Sequence, residues 1–207
     1  MITSKIRIPK QERSIRKKEA IRETALQLFC NNGYYQTTTN IIAKESHMSV
    51  GSLYEYYKDK EDILIDILNL YFDEFLNHQD SITKSFDEIA SVTNKMIWIR
   101  ELIDNLVQSH KASKEFNKEL HSLYFNIPAV RKICDEQKKK LRTIIYNSLL
   151  QISDQLKVAD IETATIVFMD ILNATIDRIV FYPLEIDSER IIEENTKVIY
   201  YYLFNEL

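Results

Sequence analysis

Glycine is nearly missing from this chain: 207 residues contain only Gly33 and Gly51, with none after position 51. Glycine-rich phosphate loops, the dinucleotide-binding fingerprint and the strained serine elbow each need several glycines at fixed offsets, so none of them has room here. Hairpin-rich β architecture leans on Gly and Asn-Gly turns and is equally unsupported. Cysteine is just as scarce. Cys30 and Cys134 lack C-x-x-C spacing, which suits a reducing compartment and core thiols and argues against a disulfide framework. No run approaches eighteen apolar residues, and the opening MITSKIRIPK has no continuous apolar stretch of the secretory type, so the expected location is cytoplasmic. There is no H-E-x-x-H, no E-x-x-H pair and no Cys/His cluster of ligand spacing. The expectation is therefore no metal, no cofactor and no enzymatic activity.

What is present describes a folded helical protein. Hydrophobic residues make up 45% and charged residues 28%, too apolar for a disordered chain. The net charge of −4 is unevenly spread. Residues 1 to 60 hold 11 Lys and Arg against 6 Asp and Glu, and the remainder holds 16 against 25. A basic headpiece suits a polyanion, while an acidic body stays in solution and is repelled from the same surface.

Residues 1–15 carry Lys5, Arg7, Lys10 and Arg13 around Pro9 without an apolar stripe, and read as a basic arm, either a solvated tail or a phosphate contact. From Arg16, Ile21, Ala25, Leu28 and Phe29 fall at helical spacing, and Gly33 supplies a left-handed stop. Thr37, Thr38 and Thr39 precede a short helix as hydroxyl caps, and Ser49 starts another through Gly51, Leu53 and Tyr57. Asp59 caps a long helix whose apolar pairs recur every four residues from Ile63/Leu64 to Phe75/Leu76. Further helices are expected over 86–110, 113–125, 128–152, 161–182 and 187–204, with Pro128 as a start and Pro183 as a stop. The fold class is all-α: a three-helix, helix-turn-helix headpiece over 16–60 and a larger helical body over 61–207, about nine helices in all.

Three helices within about 45 residues, the last two joined by a tight turn, form the arrangement that lays one helix in the DNA major groove. Ala43 is small where two helices cross. Ile42, Met48 and Leu53 are apolar pins, whereas Ser49, Gly51, Ser52 and Tyr54 are polar or small and would let backbone approach base edges and phosphates.

The segment TTTNIIAKESHMSVGSLYEYYKDKEDIL resembles the tetracycline-repressor (TetR) family, through Thr38, Ile42, Ala43, Ser49, Gly51, Leu53, Tyr54, Tyr56, Tyr57, Lys60, Glu61 and Leu64, with Phe29 and Gly33 upstream. The resemblance spans about residues 16–76. It departs from the pattern at His47, which stands where a glycine is usual; histidine tolerates positive φ at some cost. The resemblance implies base-edge contacts from Ser49, Val50, Gly51 and Ser52, and phosphate contacts from Thr38, Thr39, Tyr54, Tyr56 and Lys60. That division fits the chemistry, since hydroxyl and ammonium groups position a protein on phosphates while short groove-facing side chains read bases. Core packing is the competing reading for each tyrosine, preferred for Tyr57 but not for Tyr54 or Tyr56. Lys44 is either an outer phosphate contact or an ordinary surface lysine.

The resemblance further implies a small-molecule pocket in the body and a homodimer through the last two helices. The stretch 161–182 is apolar nearly all round and needs cover on more than one side. Pocket candidates are Phe75, Met96, Trp98, His121, Tyr124, Phe125, Tyr146, Met169, Asn173 and Asp177, aromatic and Met side chains with a few polar anchors. Plain core is the competing reading for any one of them. The functional expectation is a regulator, in the family's usual mode a repressor, that binds a near-palindromic operator and is released by a small, mainly apolar effector. The alternative is a DNA-bound architectural or partner-recruiting factor that senses no ligand.

Overall fold

The computed structural model describes residues 12–83 and 92–204. Over these residues the chain forms nine α-helices: α1 (Glu12–Asn32), α2 (Thr39–Glu45), α3 (Val50–Tyr54), α4 (Lys60–Thr83), α5 (Val92–Ala112), α6 (Lys114–Asn126), α7 (Pro128–Gln151), α8 (Ile161–Phe181) and α9 (Ser188–Leu203). A short 3-10 turn, Ser153–Gln155, follows α7, and the only extended pairing among the described residues is an isolated bridge between Leu156 and Phe204. No helix among the described residues is long and apolar enough to cross a membrane.

Helix ends follow the local chemistry. Gly33, at φ 82°, stops α1 and donates its N–H to the Phe29 carbonyl at 3.0 Å. Thr38 and Ser49 cap α2 and α3, accepting from the N–H groups of Ile41 and Ser52. Asp59 accepts from the Asp62 N–H at 2.8 Å at the head of α4, and Asp160 and Asp187 do the same for α8 and α9. The first helix departs from expectation by including residues 12–15, because Ser14 there is buried. Lys5, Arg7 and Lys10 of the expected arm, and the expected start of α5 at 86–91, lie outside the described residues.

Packing divides the chain into two units, and neither follows a single cut at residue 60. The first comprises residues up to Glu74 together with Glu115–Cys134, so the head of α4, nearly all of α6 and the start of α7 belong with the headpiece. Its core gathers Ile21, Ala25, Phe29, Ile42, Ala43, Leu53, Tyr57, Ile63, Leu64 and Leu68 with Phe116, Leu123 and Val130. The second comprises Phe75–Lys114 and Asp135–Leu207. Its core joins Ile99, Ile103 and Leu106 of α5 to Leu149 of α7, Phe168 and Leu172 of α8, and Ile199 and Leu203 of α9. Burying each such side chain contributes about 1.5–3 kcal/mol.

Candidate nucleic-acid interface

The turn between α2 and α3 is closed by backbone bonds. The N–H of Ser46 reaches the Ile42 carbonyl at 2.9 Å, that of His47 reaches Lys44 at 3.1 Å, and that of Met48 reaches Ala43 at 2.8 Å. His47 takes φ 55°, the left-handed conformation that the expected glycine would supply freely. Ala43, fully buried, lets the two helices cross closely, while Ile42 and Leu53 bury beside it.

From this turn α3 projects a short polar edge. Ser49 is exposed; its hydroxyl donates to the Ser52 hydroxyl at 3.0 Å and accepts from the Ser52 N–H at 3.1 Å. Ser52 thereby keeps its own hydroxyl proton for an external acceptor. Gly51 is exposed, and a Cβ built there would meet only Ser49 Oγ, at 3.9 Å. Internal packing does not require this glycine. Its bareness matters only to something approaching from outside. Val50 is half-buried against the headpiece core and offers only part of its side chain to that edge.

A row of hydroxyls flanks the edge. Thr38 is exposed at the head of α2, and Thr39 hydrogen-bonds Tyr54 across the motif, hydroxyl to hydroxyl, at 3.1 Å. Tyr54 itself is 41% exposed. Lys44 is exposed on α2. Thr38, Lys44, Ser49, Gly51 and Tyr54 are thus exposed, and the half-exposed Thr39 and Ser52 are hydrogen-bonded to Tyr54 and Ser49.

Two expected phosphate contacts are placed differently. Tyr56 is only 4% exposed, and its hydroxyl is paired with that of Ser14 on α1 at 3.0 Å rather than turned to the outside. Lys60 directs its ammonium inward, donating to the Tyr34 carbonyl at 2.6 Å while sitting 4.1 Å from the centre of the Tyr34 ring. Burial lowers its pKa. Tyr57 is buried, as expected, and donates to Asp66 of α4 at 2.7 Å.

Asp66 gathers a polar tie that sequence reasoning missed. Lys18 donates to it at 2.9 Å and the Arg22 guanidinium lies 3.5 Å away, both from α1. Burial alone would raise the Asp66 carboxyl, but the hydrogen bonds from Lys18 and Tyr57 and the charges of Lys18 and Arg22 hold it below the ordinary carboxylate value. Burial and the Asp66 carboxylate push the Tyr57 phenol well up. One carboxylate therefore joins α1, the end of the recognition segment and α4.

The ten expected pocket residues separate. Phe75, Met96, Trp98 and Met169 meet at the second unit's core, where Trp98 stacks on Phe168 with ring centres 6.3 Å apart. Tyr146 is half-buried on α7 in the same unit. Asn173 and Asp177 are exposed on α8. His121, Tyr124 and Phe125 belong to α6, hence to the first unit, with Tyr124 packed against the headpiece core and Phe125 61% exposed. Among the described residues, no group of three or more His, Cys, Asp or Glu side chains is placed to hold a metal ion.

Known proteins share these features. The family model described as bacterial regulatory proteins, tetR family, matches residues 21–67, and that described as tetracyclin repressor-like, C-terminal domain, matches residues 69–198. The HTH-type transcriptional regulator YuxN of Bacillus subtilis (strain 168) is 35% identical over 95 residues, covering 46% of this chain and 32% of that protein. The HTH-type transcriptional regulator QacR of Staphylococcus aureus is 45% identical over 53 residues, covering 26% and 28%. The chain thus spans about a third of the length of these curated relatives. A TetR-family regulator from Mesorhizobium loti superposes with a TM-score of 0.76 at 16% identity, covering 94% of this chain and 100% of the other, a likeness of fold. Two family models in tandem cover most of the sequence, and the chain belongs to the TetR family of bacterial transcriptional regulators, with residues 21–67 as its DNA-binding domain.

Proposed function

We propose that this regulator is a homodimeric, ligand-responsive repressor that works in the cytoplasm, binds a near-palindromic operator and is released by a small, mainly apolar effector. The observation that carries the reading is the open Ser49–Gly51–Ser52 edge, flanked by Thr38, Thr39 and Tyr54, on a rigidly closed turn. Short side chains there read base edges while the hydroxyl row sits on phosphates. Pairing of two copies is supported by Ile166 of α8 and by Val198 and Tyr201 of α9, apolar side chains that remain 42%, 51% and 45% exposed. An effector pocket is supported by the aromatic and Met side chains of the second unit, Phe75, Met96, Trp98, Tyr146 and Met169. Helix α4 runs through both units, so an effector that favours one tilt of α4 over another changes the spacing of the recognition helices. Operator then weakens effector binding by the factor by which effector weakens operator binding.

Footprinting on the DNA immediately upstream of the chain's own coding region tests the reading. The expected result is two protected patches with two-fold symmetry, centred about one helical turn apart or a multiple of it. Absence of any protected site, with and without candidate ligands, overturns it. A thermal-shift screen against a metabolite library separates the ligand-independent alternative, because an effector stabilises the fold it binds and a uniformly flat screen means there is none.

A further inference from the structure

Tyr34, in the loop between α1 and α2, has both sides of its backbone held by side chains from other helices. Its N–H donates to Glu119 Oε1 of α6 at 2.6 Å, and its carbonyl accepts from Lys60 Nζ of α4 at 2.6 Å. Glu119 also lies beside Gly33, where an added Cβ would make ordinary contact with its two carboxylate oxygens at 3.9 Å and 4.0 Å. The Tyr34 ring is buried, with Phe29 at 5.2 Å on one side and the Lys60 ammonium at 4.1 Å, and its hydroxyl is pushed up to about 12, by burial first and then by Glu61 and Asp59. Three residues on, Thr37 is fully buried and donates to the Gly33 carbonyl at 2.9 Å and the Leu28 carbonyl at 3.3 Å. The next residue is Thr38, which caps α2, followed by Thr39, which bonds to Tyr54.

From this geometry we infer that Glu119 is a positioning residue for DNA binding, acting through the Tyr34 backbone to set where the head of α2 and its hydroxyl row lie. The inference rests on the DNA-binding reading of that row. The loop has too little slack to absorb a displacement: Gly33 and Thr37 are tied to each other, and Tyr34 is gripped by two helices. When α6 moves relative to α4, one of the two bonds to Tyr34 breaks and the head of α2 loses its fixed place. The route adds α6 to α4 as a determinant of where α2 lies, and it starts 85 residues away in sequence.

The test uses the full chain, a 30-base-pair duplex of arbitrary sequence at low salt and the upstream DNA. Phosphate contacts dominate binding to the arbitrary duplex, so it reports on the hydroxyl row without a known operator. Glu119→Ala is expected to weaken binding to both DNAs about tenfold and to speed amide exchange over 38–42 by a similar factor. Glu119→Gln keeps an acceptor oxygen and is expected to bind within twofold of wild type. Glu119→Asp is the variant for use if the alanine form does not fold, and should fall between them. Because a tie that served stability alone would lower the melting temperature without touching DNA, a double-mutant cycle with Thr38→Ala decides the matter. Strong non-additivity in DNA affinity supports the relay. Additive losses, or an α2 exchange rate unchanged in Glu119→Ala, overturn it. A wild-type chain that bound neither DNA would overturn the DNA-binding reading, and the exchange comparison would still judge Glu119.

Discussion

The two units are held together by different kinds of interaction. In the first, helices distant in sequence are joined by directional bonds: Ser14 to Tyr56, Lys18 and Tyr57 to Asp66, Glu119 and Lys60 to Tyr34, and Tyr71 to Asn117 at 3.1 Å. In the second, the buried hydroxyls mostly turn back onto their own helix. Ser148 donates to the Ile144 carbonyl, Thr165 to Ile161, Thr175 to Ile171 and Thr196 to Ile192, each four residues earlier. Among the described residues, the core of the second unit joins its helices through apolar surface, with Arg100 and Glu189 paired at its exterior and Lys95 over the Phe204 ring. Hydrogen bonds fix direction and distance, whereas apolar burial does neither. A headpiece that must match the fixed geometry of a duplex benefits from the former. Under the proposed function, a body that answers to a ligand would benefit from helices free to repack.

The largest expected effects probe whether the two cores are separate cooperative units. Phe29→Ala and Phe168→Ala each remove a fully buried ring and should cost about 3–5 kcal/mol. Differential scanning calorimetry should show Phe29→Ala lowering one transition and Phe168→Ala the other; equal displacement of a single transition by both would erase the distinction.

Asp66→Ala comes next, at about 2 kcal/mol by urea unfolding, since it strands Lys18, Arg22 and Tyr57 at once. Its pH dependence has a defined sign. The folded carboxyl lies below its ordinary value, so its contribution is complete above about pH 4 and disappears as pH falls through the lower folded value. Wild type and variant should therefore differ at neutral pH and converge in acid. A difference that persisted at low pH would assign the loss to packing instead.

Gly51→Ala should separate stability from function. The added methyl makes only ordinary contact with Ser49 Oγ and a helix-favouring residue replaces glycine, so stability should hold or rise by up to about 1 kcal/mol. Operator affinity by fluorescence anisotropy should fall about tenfold, equivalent to about 1.4 kcal/mol. Retained affinity would remove Gly51 from the base-facing edge. His47→Gly relieves the φ of 55° and should raise the melting temperature for a gain of up to about 1 kcal/mol.

Thr175→Val should have the smallest effect, under about 1 kcal/mol. The valine is similar in shape and the Ile171 carbonyl keeps its helical partner. A larger loss on chemical denaturation would show that the second unit also relies on directional bonds.

Helix boundaries were legible because they depend on neighbours within four residues. Thr38, Ser49 and Asp59 cap where their side chains predict, Gly33 and His47 take the positive φ that the motif calls for, and Pro128 opens α7. Partners distant in sequence were not legible. Tyr56 and Tyr57 are adjacent aromatics in one motif, and only the position of Ser14, 42 residues upstream, shows that Tyr56 is enclosed. Lys60 reads as a surface cation until the Tyr34 carbonyl, 26 residues away, appears beside it. The amphipathic stripe of α6 says that one face is buried without saying against what. Its companions turned out to include α4, through Tyr71, and the α1–α2 loop, through Tyr34, which divided the expected pocket residues. On α8, near-continuous apolarity predicted cover on more than one side; in the single chain Phe168, Leu172, Thr175, Ile176, Ile179 and Val180 are buried, while Ile166 and the polar Asp170, Asn173 and Asp177 are exposed.

The split make-up of the first unit also sets an order of events during synthesis. Residues up to Glu74 leave the ribosome with Ile63, Leu64 and Leu68 still lacking Phe116, Leu123 and Val130, which arrive only after the intervening 75–114. At ordinary elongation rates, the stretch from 75 to 134 takes roughly 3–12 seconds to appear. Until then the nascent headpiece holds an uncovered apolar face, and the chain segment between its two parts must close as a loop. The surface proposed to meet DNA therefore gains its full backing only after the 75–114 part of the second unit has been made.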